Sequence, residues 1–264
     1  MVGTKPCIFC GRTGVRLTRE HAIPRWVSKA LQTREHGGVT QTLGPDGRDP
    51  RHVAELDLKV REVCAPCNNG WLAELERFVR SILANPIRGL PLTKPIPVSA
   101  HRRLAVWALK TWLLAQHVSG SRPGNTSFAL QPDILQHLRQ HNEPPDLTGV
   151  WIGAVNATET LMVMRLGTVR VMDSREKIVG LLGVFTVGCV FFAVYMPSWL
   201  RTDPRPEKLV GMGLTGEPAS HVIELWPSLG EPIPWPAKPV MSVADVERFW
   251  PSKSHMHIEG LTDE

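Results

Sequence analysis

Residues 63–72 read Val63-Cys64-Ala65-Pro66-Cys67-Asn68-Asn69-Gly70-Trp71-Leu72, and the Cys-x-x-Cys inside them has an earlier counterpart in Cys7-Ile8-Phe9-Cys10. A two-residue spacer lets both thiolates of a pair face one ion, so two such pairs supply the four soft ligands of a tetrahedral zinc site. They take four of the chain's five cysteines. A redox Cys-x-x-Cys would leave the second pair without a role. Four thiolates leave no open position for water, so this zinc is expected to be structural, and any chemistry falls to the residues around it. The interval between the pairs is too long for a compact zinc ribbon, and a small subdomain must be threaded through it.

Working outward, Val15 to Thr18 reads as a short strand that runs into Glu20-His21. Pro24 suits the first position of a helix reaching about Gln32, with Arg25 and Lys29 four apart on one face. Residues 36–52 are rich in Gly, Pro, Asp and Thr and predict a long loop or loose hairpin, whose histidines are not needed once four cysteines satisfy the metal. Leu56 to Val63 alternates as a strand into the second knuckle. From Trp71 to Leu83 the apolar residues recur at helical spacing, while Glu74, Glu76, Arg77 and Arg80 fall on the wet face.

An acidic residue, His, a hydrophobic residue and Pro (Glu20-His21-Ala22-Ile23-Pro24), framed by two knuckles and followed by Cys67-Asn68, resembles the zinc-stapled branch of the HNH endonucleases. The stretch 63–72 is closer still to HNH-like proteins of actinobacteria and their phages. The resemblance covers roughly the first 85 residues and implies a ββα-metal core. It implies His21 as the general base that activates water, a task suited to an imidazole whose ordinary pKa of about 6.5 leaves it mostly neutral at pH 7. It implies Glu20 and Asn68 beside a catalytic Mg²⁺ or Mn²⁺, which would neutralise charge on the phosphate and the leaving oxygen. The family's middle Asn, which orients the base, falls here on Lys59. An ammonium only donates hydrogen bonds and cannot accept one from the imidazole ring. Asp57 and Glu55 are the nearby acids that can take over that duty, and Lys59 is counted with the phosphate contacts. Each motif also has a structural reading: His21 as packing before the helix, and Asn68 and Asn69 as caps for the helix after the knuckle.

The formal charge of +5 is unevenly spread: residues 1–98 carry 15 Lys/Arg against 9 Asp/Glu, and residues 99–264 carry 15 against 16. Between residues 5 and 34, Glu20 is the sole acid against seven basic residues. A basic patch here suits a phosphate backbone, with Arg12, Arg16, Arg25 and Lys29 as contacts; a solvated face kept for solubility is the plain alternative. Thiols committed to metal rather than to disulfides, and a polar start without a signal peptide, lead to the expectation of a cytoplasmic protein. Cys189, in an apolar run, reads as core packing.

Pro86, Pro91, Pro95 and Pro97 mark residues 86–98 as a semi-rigid linker or extended strap. Ser99 to Val118 is helical and apolar almost all round, and Pro132 to His141 is a second, shorter helix. From Thr148 the period becomes two, with strands at 150–155, 161–166 and 168–172. Residues 178–196 lack charge over a length that would span a membrane. Their glycines and β-branched residues divide them instead at Gly188 into two buried strands. A strand at 221–226, a capping box of Asp type at Ser242-Val243-Ala244-Asp245 and a polar, mobile tail after Trp250 complete the chain.

The expectation is therefore an α+β chain: a zinc-stapled HNH-like module at 1–85, a linker at 86–98, and a helix-plus-antiparallel-sheet domain at 99–264. Its expected function is metal-dependent endonuclease cleavage of duplex DNA, with no membrane association. The alternative is a zinc-stabilised nucleic-acid-binding or assembly protein that kept the scaffold and lost cleavage. A third class is an interaction protein whose second domain takes a protein partner.

Overall fold

The computed structural model describes residues 5–32, 39–42, 50–53, 58–120, 132–146, 148–156, 165–172, 178–197, 221–228, 230–248 and 255–257. In chain order, strand β1 (Leu17–His21) leads into the short helix α1 (Arg25–Ala30). Strands β2 (Val39–Thr42) and β3 (Pro50–Val53) pair antiparallel as the hairpin of the threaded segment. Strand β4 (Lys59–Cys64) then runs antiparallel to β1 and delivers the second knuckle. The Cys-Asn-Asn-Gly-Trp-Leu stretch is wound as one wide π-turn, Cys67–Leu72, which continues into helix α2 (Ala73–Ile87). Such turns are uncommon and gather at functional positions. Helix α2 runs through Pro86 to Ile87, a turn beyond the periodicity's end at Leu83.

Helix α3 (Val98–Gly120) is buried on every side from Leu104 to Ala115, and α4 (Pro132–His141) follows it. The strands after α4 are β5 (Gly149–Ala154), β6 (Arg165–Met172), β7 (Ile178–Val187), β8 (Val190–Pro197) and β9 (Val222–Trp226). Helix α5 (Val243–Arg248) and strand β10 (His255–His257) end the described chain. These six strands form one sheet in the order β10-β6-β7-β8-β5-β9, antiparallel except at its β10 edge. The uncharged run 178–196 is a hairpin turning at Gly188, whose φ of 54° lies in the left-handed region. Among the described residues no helix is long and apolar enough to cross a membrane. Gly180 holds another constraint: a Cβ there would collide with the ring of Tyr195 on the neighbouring strand. Asp245 caps α5 as expected, accepting from Ser242 N at 2.8 Å while Ser242 Oγ accepts from Asp245 N at 3.1 Å. The tail differs from its expectation at 255–257, which add β10 to the sheet edge beside Arg170–Met172.

The chain is α+β, and it divides into two compact units: residues 1–84 with 106–145, and residues 85–105 with 146–264. This differs from a cut into 1–85 and 99–264. Most of α3 and all of α4 group with the first 84 residues, where aromatic, ionic and hydrogen-bond contacts hold them. Trp107 packs on Trp26 at 6.2 Å between ring centroids, Lys110 is paired with Glu20 and Glu76, and Trp71 reaches Asn142. In the second unit, residues 86–98 behave as a strap: Ile96 exchanges both backbone hydrogen bonds with Ile233, and Cys189 N donates to Ile87 O.

Candidate functional site

The two knuckles meet where β4 ends against the start of the chain. Ile8 N donates to Glu62 O at 3.0 Å, which lays the first knuckle along β4. Gly11, at φ +69°, lets the chain double back so that Gly11 N reaches Cys7 O and Cys7 N reaches Arg12 O. A side chain at that φ would be strained, so glycine after Cys10 is a geometric requirement. The sulfurs of Cys7, Cys10, Cys64 and Cys67 all lie within 4.8 Å of one another, and Cys10 and Cys64 are 3.7 Å apart. Tetrahedral Zn–S bonds of about 2.3 Å place sulfurs about 3.8 Å apart, so the cluster is fit to hold a structural metal such as zinc. Cys7, Cys64 and Cys67 are buried and Cys10 is half-buried.

The thiols are also prepared electrostatically. Burial acts to raise the pKa of Cys10, but hydrogen bonds from the Arg12 side chain and backbone and from Cys64 and Cys7 outweigh it and bring it down to about 6. Burial pushes the Cys64 and Cys67 thiols up, and for Cys67 the neighbouring thiols add to the rise. Several thiolates this close repel one another unless a cation sits among them, which is what a dication supplies. Cys64 N–H points at Cys7 Sγ at 3.3 Å, the kind of backbone donor that stabilises a ligating thiolate. Arg12, expected on phosphate, places Nε 3.5 Å from Cys10 Sγ. One of its five N–H groups is thus turned to the cysteine cluster, although the residue as a whole is exposed.

Comparison with family models, with curated proteins and with solved structures finds no match to this chain.

The motif residues gather along β1 and β4. Cross-strand register sets His21 opposite Lys59. Asp57 and Glu55 lie outside the described residues. The register shifts between Thr18 and Glu20, where Arg61 and Glu62 of β4 together oppose Arg19, so the bulge lies on β4. Along β1 Glu20 alternates with exposed Arg19 and faces the interior, with 5% of its surface exposed, while His21 stays half-buried. Asn68, at the start of the π-turn, donates through Nδ2 to Thr18 Oγ1 at 2.9 Å and to Arg19 O at 3.1 Å. It neither caps its own helix nor stands free; it ties the knuckle to β1, two residues from His21. Arg16, Arg25 and Lys29 are exposed, and Lys59 is half-buried.

Glu20 has a partner that its motif does not reveal. Lys110 of α3 is fully buried, with Nζ 3.1 Å from Glu20 Oε1 and 3.3 Å from Glu76 Oε1 of α2. The contact to Glu76 is an aligned hydrogen bond; that to Glu20 lies off the hydrogen-bond direction and is chiefly ionic. Burial alone would lower the pKa of Lys110, but the two carboxylates outweigh it and raise it, so the ammonium stays charged. Two carboxylates against one ammonium would leave a buried excess of one negative charge. Burial, reinforced by Glu20, raises the Glu76 pKa despite the opposing pull of Lys110.

Lys110 and Glu76 are site residues that motif reading missed. A signal existed for the lysine. It is the sole charge in the run Leu104-Ala105-Val106-Trp107-Ala108-Leu109-Lys110-Thr111-Trp112-Leu113-Leu114, and a charge inside a helix buried all round must be paired. The helical spacing of 71–83 gives Trp71 only as helix core. Its ring meets Phe9 of the first knuckle at 5.5 Å, lies under the Arg139 guanidinium at 5.8 Å, and donates from Nε1 to Asn142 Oδ1 at 3.3 Å. It clamps α4 to the metal cluster.

Proposed function

We propose that the first unit is a zinc-stapled nucleic-acid-binding module on an HNH-like scaffold, which holds duplex DNA through its phosphates and does not hydrolyse it. The observation that carries this reading is the buried ion pair of Glu20 with Lys110. The acid that the HNH resemblance assigns to a divalent ion is here committed to an ammonium. The opposition of His21 and Lys59 adds to it, since a lysine cannot hold the imidazole as a general base through its ring N–H. Exposed Arg12 and Arg16 beside the first knuckle, and Arg25 and Lys29 on α1, are the cations that would engage phosphate.

A second reading, metal-dependent endonuclease cleavage with His21 as general base and Mg²⁺ or Mn²⁺ beside Glu20 and Asn68, is favoured by one observation. The Asn68 amide lies 3.1 Å from Arg19 O, which brings the last motif position to the end of the strand that bears His21. Supercoiled plasmid incubated with the zinc-loaded protein and Mg²⁺, Mn²⁺ or no added divalent ion separates the two. The proposal expects retarded but intact plasmid in all three. Nicking that needs Mg²⁺ or Mn²⁺ and disappears in His21→Ala overturns it in favour of the nuclease.

A further inference from the structure

Glu20 from β1 and Glu76 from α2 point one carboxylate oxygen each at a single buried position, and Lys110 Nζ occupies it at 3.1 and 3.3 Å. Converging carboxylate oxygens are the donor set of a hard divalent cation such as Mg²⁺ or Mn²⁺. Neither acid is there for want of other space. Glu20 takes the inward position of β1 next to exposed Arg19, and its Oε1 makes no aligned hydrogen bond. Glu76 leads from that position towards water, its side chain being 23% exposed, and so offers a route for an ion.

We propose that Lys110 is an internal counter-ion standing where a divalent cation would otherwise bind, so that the wild-type chain takes no Mg²⁺ or Mn²⁺ at Glu20 and acquires such a site when the ammonium is removed. The inference rests on the non-cleaving reading given above and supplies its cause. An ammonium neutralises a carboxylate but cannot act as a Lewis acid towards phosphate oxygen or lower the pKa of a bound water, which is what metal-assisted hydrolysis needs. The contact also fixes the chain: α3, β1 and α2 share one charge centre, and its position does not depend on the supply of metal.

The test uses the full zinc-loaded chain and Mn²⁺ as the probe. Mn²⁺ ranks below zinc for thiolate sites and leaves the cysteine cluster undisturbed. Lys110→Met, Lys110→Met with Glu20→Gln, and wild type are unfolded by urea over a series of Mn²⁺ concentrations, and bound Mn²⁺ is counted by electron paramagnetic resonance. The expectation is one Mn²⁺ bound by Lys110→Met and none by the other two. Mn²⁺ at about 100 times its dissociation constant should raise the folding constant of Lys110→Met by about 100-fold and leave the others unchanged. Because recovery by Mn²⁺ is itself the readout, a poorly folded Lys110→Met still reports. Failure of Mn²⁺ to bind or restore it overturns the proposal, as does binding of Mn²⁺ by wild type as tight as by Lys110→Met. No arm involves DNA. A failure to bind duplex would therefore sink the functional reading while leaving this result standing.

Discussion

Removing the charge of Lys110 should be among the most damaging single changes in the first unit, and the damage should be largely reversible by removing Glu20's charge as well. At 3.1 Å and an effective dielectric constant of about 20, the attraction between Lys110 and Glu20 is about 5 kcal/mol, and that to Glu76 at 3.3 Å is similar. Most of that gross attraction offsets the cost of taking the ammonium, 0% exposed, out of water. What a single substitution exposes is the uncompensated partner. Lys110→Met leaves Glu20 buried without a cation, and the loss expected is about 3–5 kcal/mol. Glu20→Gln alone leaves Lys110 still paired with Glu76 and should cost less. The double variant leaves no unpaired charge at Glu20, and the coupling between the two sites should be at least about 2 kcal/mol. Urea unfolding of the four proteins, zinc-loaded and free of divalent additives, measures it. Additivity within about 0.5 kcal/mol would refute the claim that these two side chains interact as a buried ion pair.

Cys64→Ser should abolish stoichiometric zinc in the purified protein and unfold the first unit, since metal-binding energy in such modules is folding energy; metal analysis with circular dichroism checks both. Trp71→Phe keeps the contact with Phe9 but loses the Nε1–Asn142 hydrogen bond, and should cost about 1 kcal/mol in urea unfolding while leaving zinc content unchanged. In the second unit His101 is buried, with Nδ1 2.9 Å from Ser228 Oγ, and burial lowers its pKa against the opposing pull of the Ile96 backbone. A depressed folded pKa means that stability is present above the unfolded value of about 6.5 and is lost as pH falls towards the folded value. Unfolding midpoints followed from pH 7 to pH 5 should fall less steeply for His101→Gln than for wild type.

How much of this was legible depended on the range of the interaction. The metal cluster was readable because two Cys-x-x-Cys pairs specify their own geometry, and the hairpin at 178–196 because glycine and β-branched residues punctuate it locally. The strand before His21 and the helix after Trp71 followed from short-range patterns as well. The grouping of 106–145 with the first 84 residues was not legible, because it rests on pairs such as Lys110–Glu20 and Trp26–Trp107 that are distant in sequence. The burial of Glu20 depends on Lys110 of the distant helix α3, which no local pattern around Glu20 announces. Periodicity placed Glu76 on the wet face of α2; the structure leaves it partly exposed but spends its carboxylate on Lys110. Arg12 was counted as a phosphate contact from charge alone, and only its distance to Cys10 Sγ reveals the second duty.

The central claim, a zinc-stapled module that holds nucleic acid by its phosphates, is tested most directly by the salt dependence of duplex binding. Fluorescence anisotropy with a labelled duplex, zinc-loaded protein and no added Mg²⁺ or Mn²⁺ should give saturable binding at low salt. The logarithm of the affinity should fall against the logarithm of salt with a slope of about −3 to −4 if four phosphates are engaged, and Arg16→Glu with Lys29→Glu should flatten that slope without altering sequence preference. Absence of saturable binding at low salt, or binding insensitive to salt, would contradict the account.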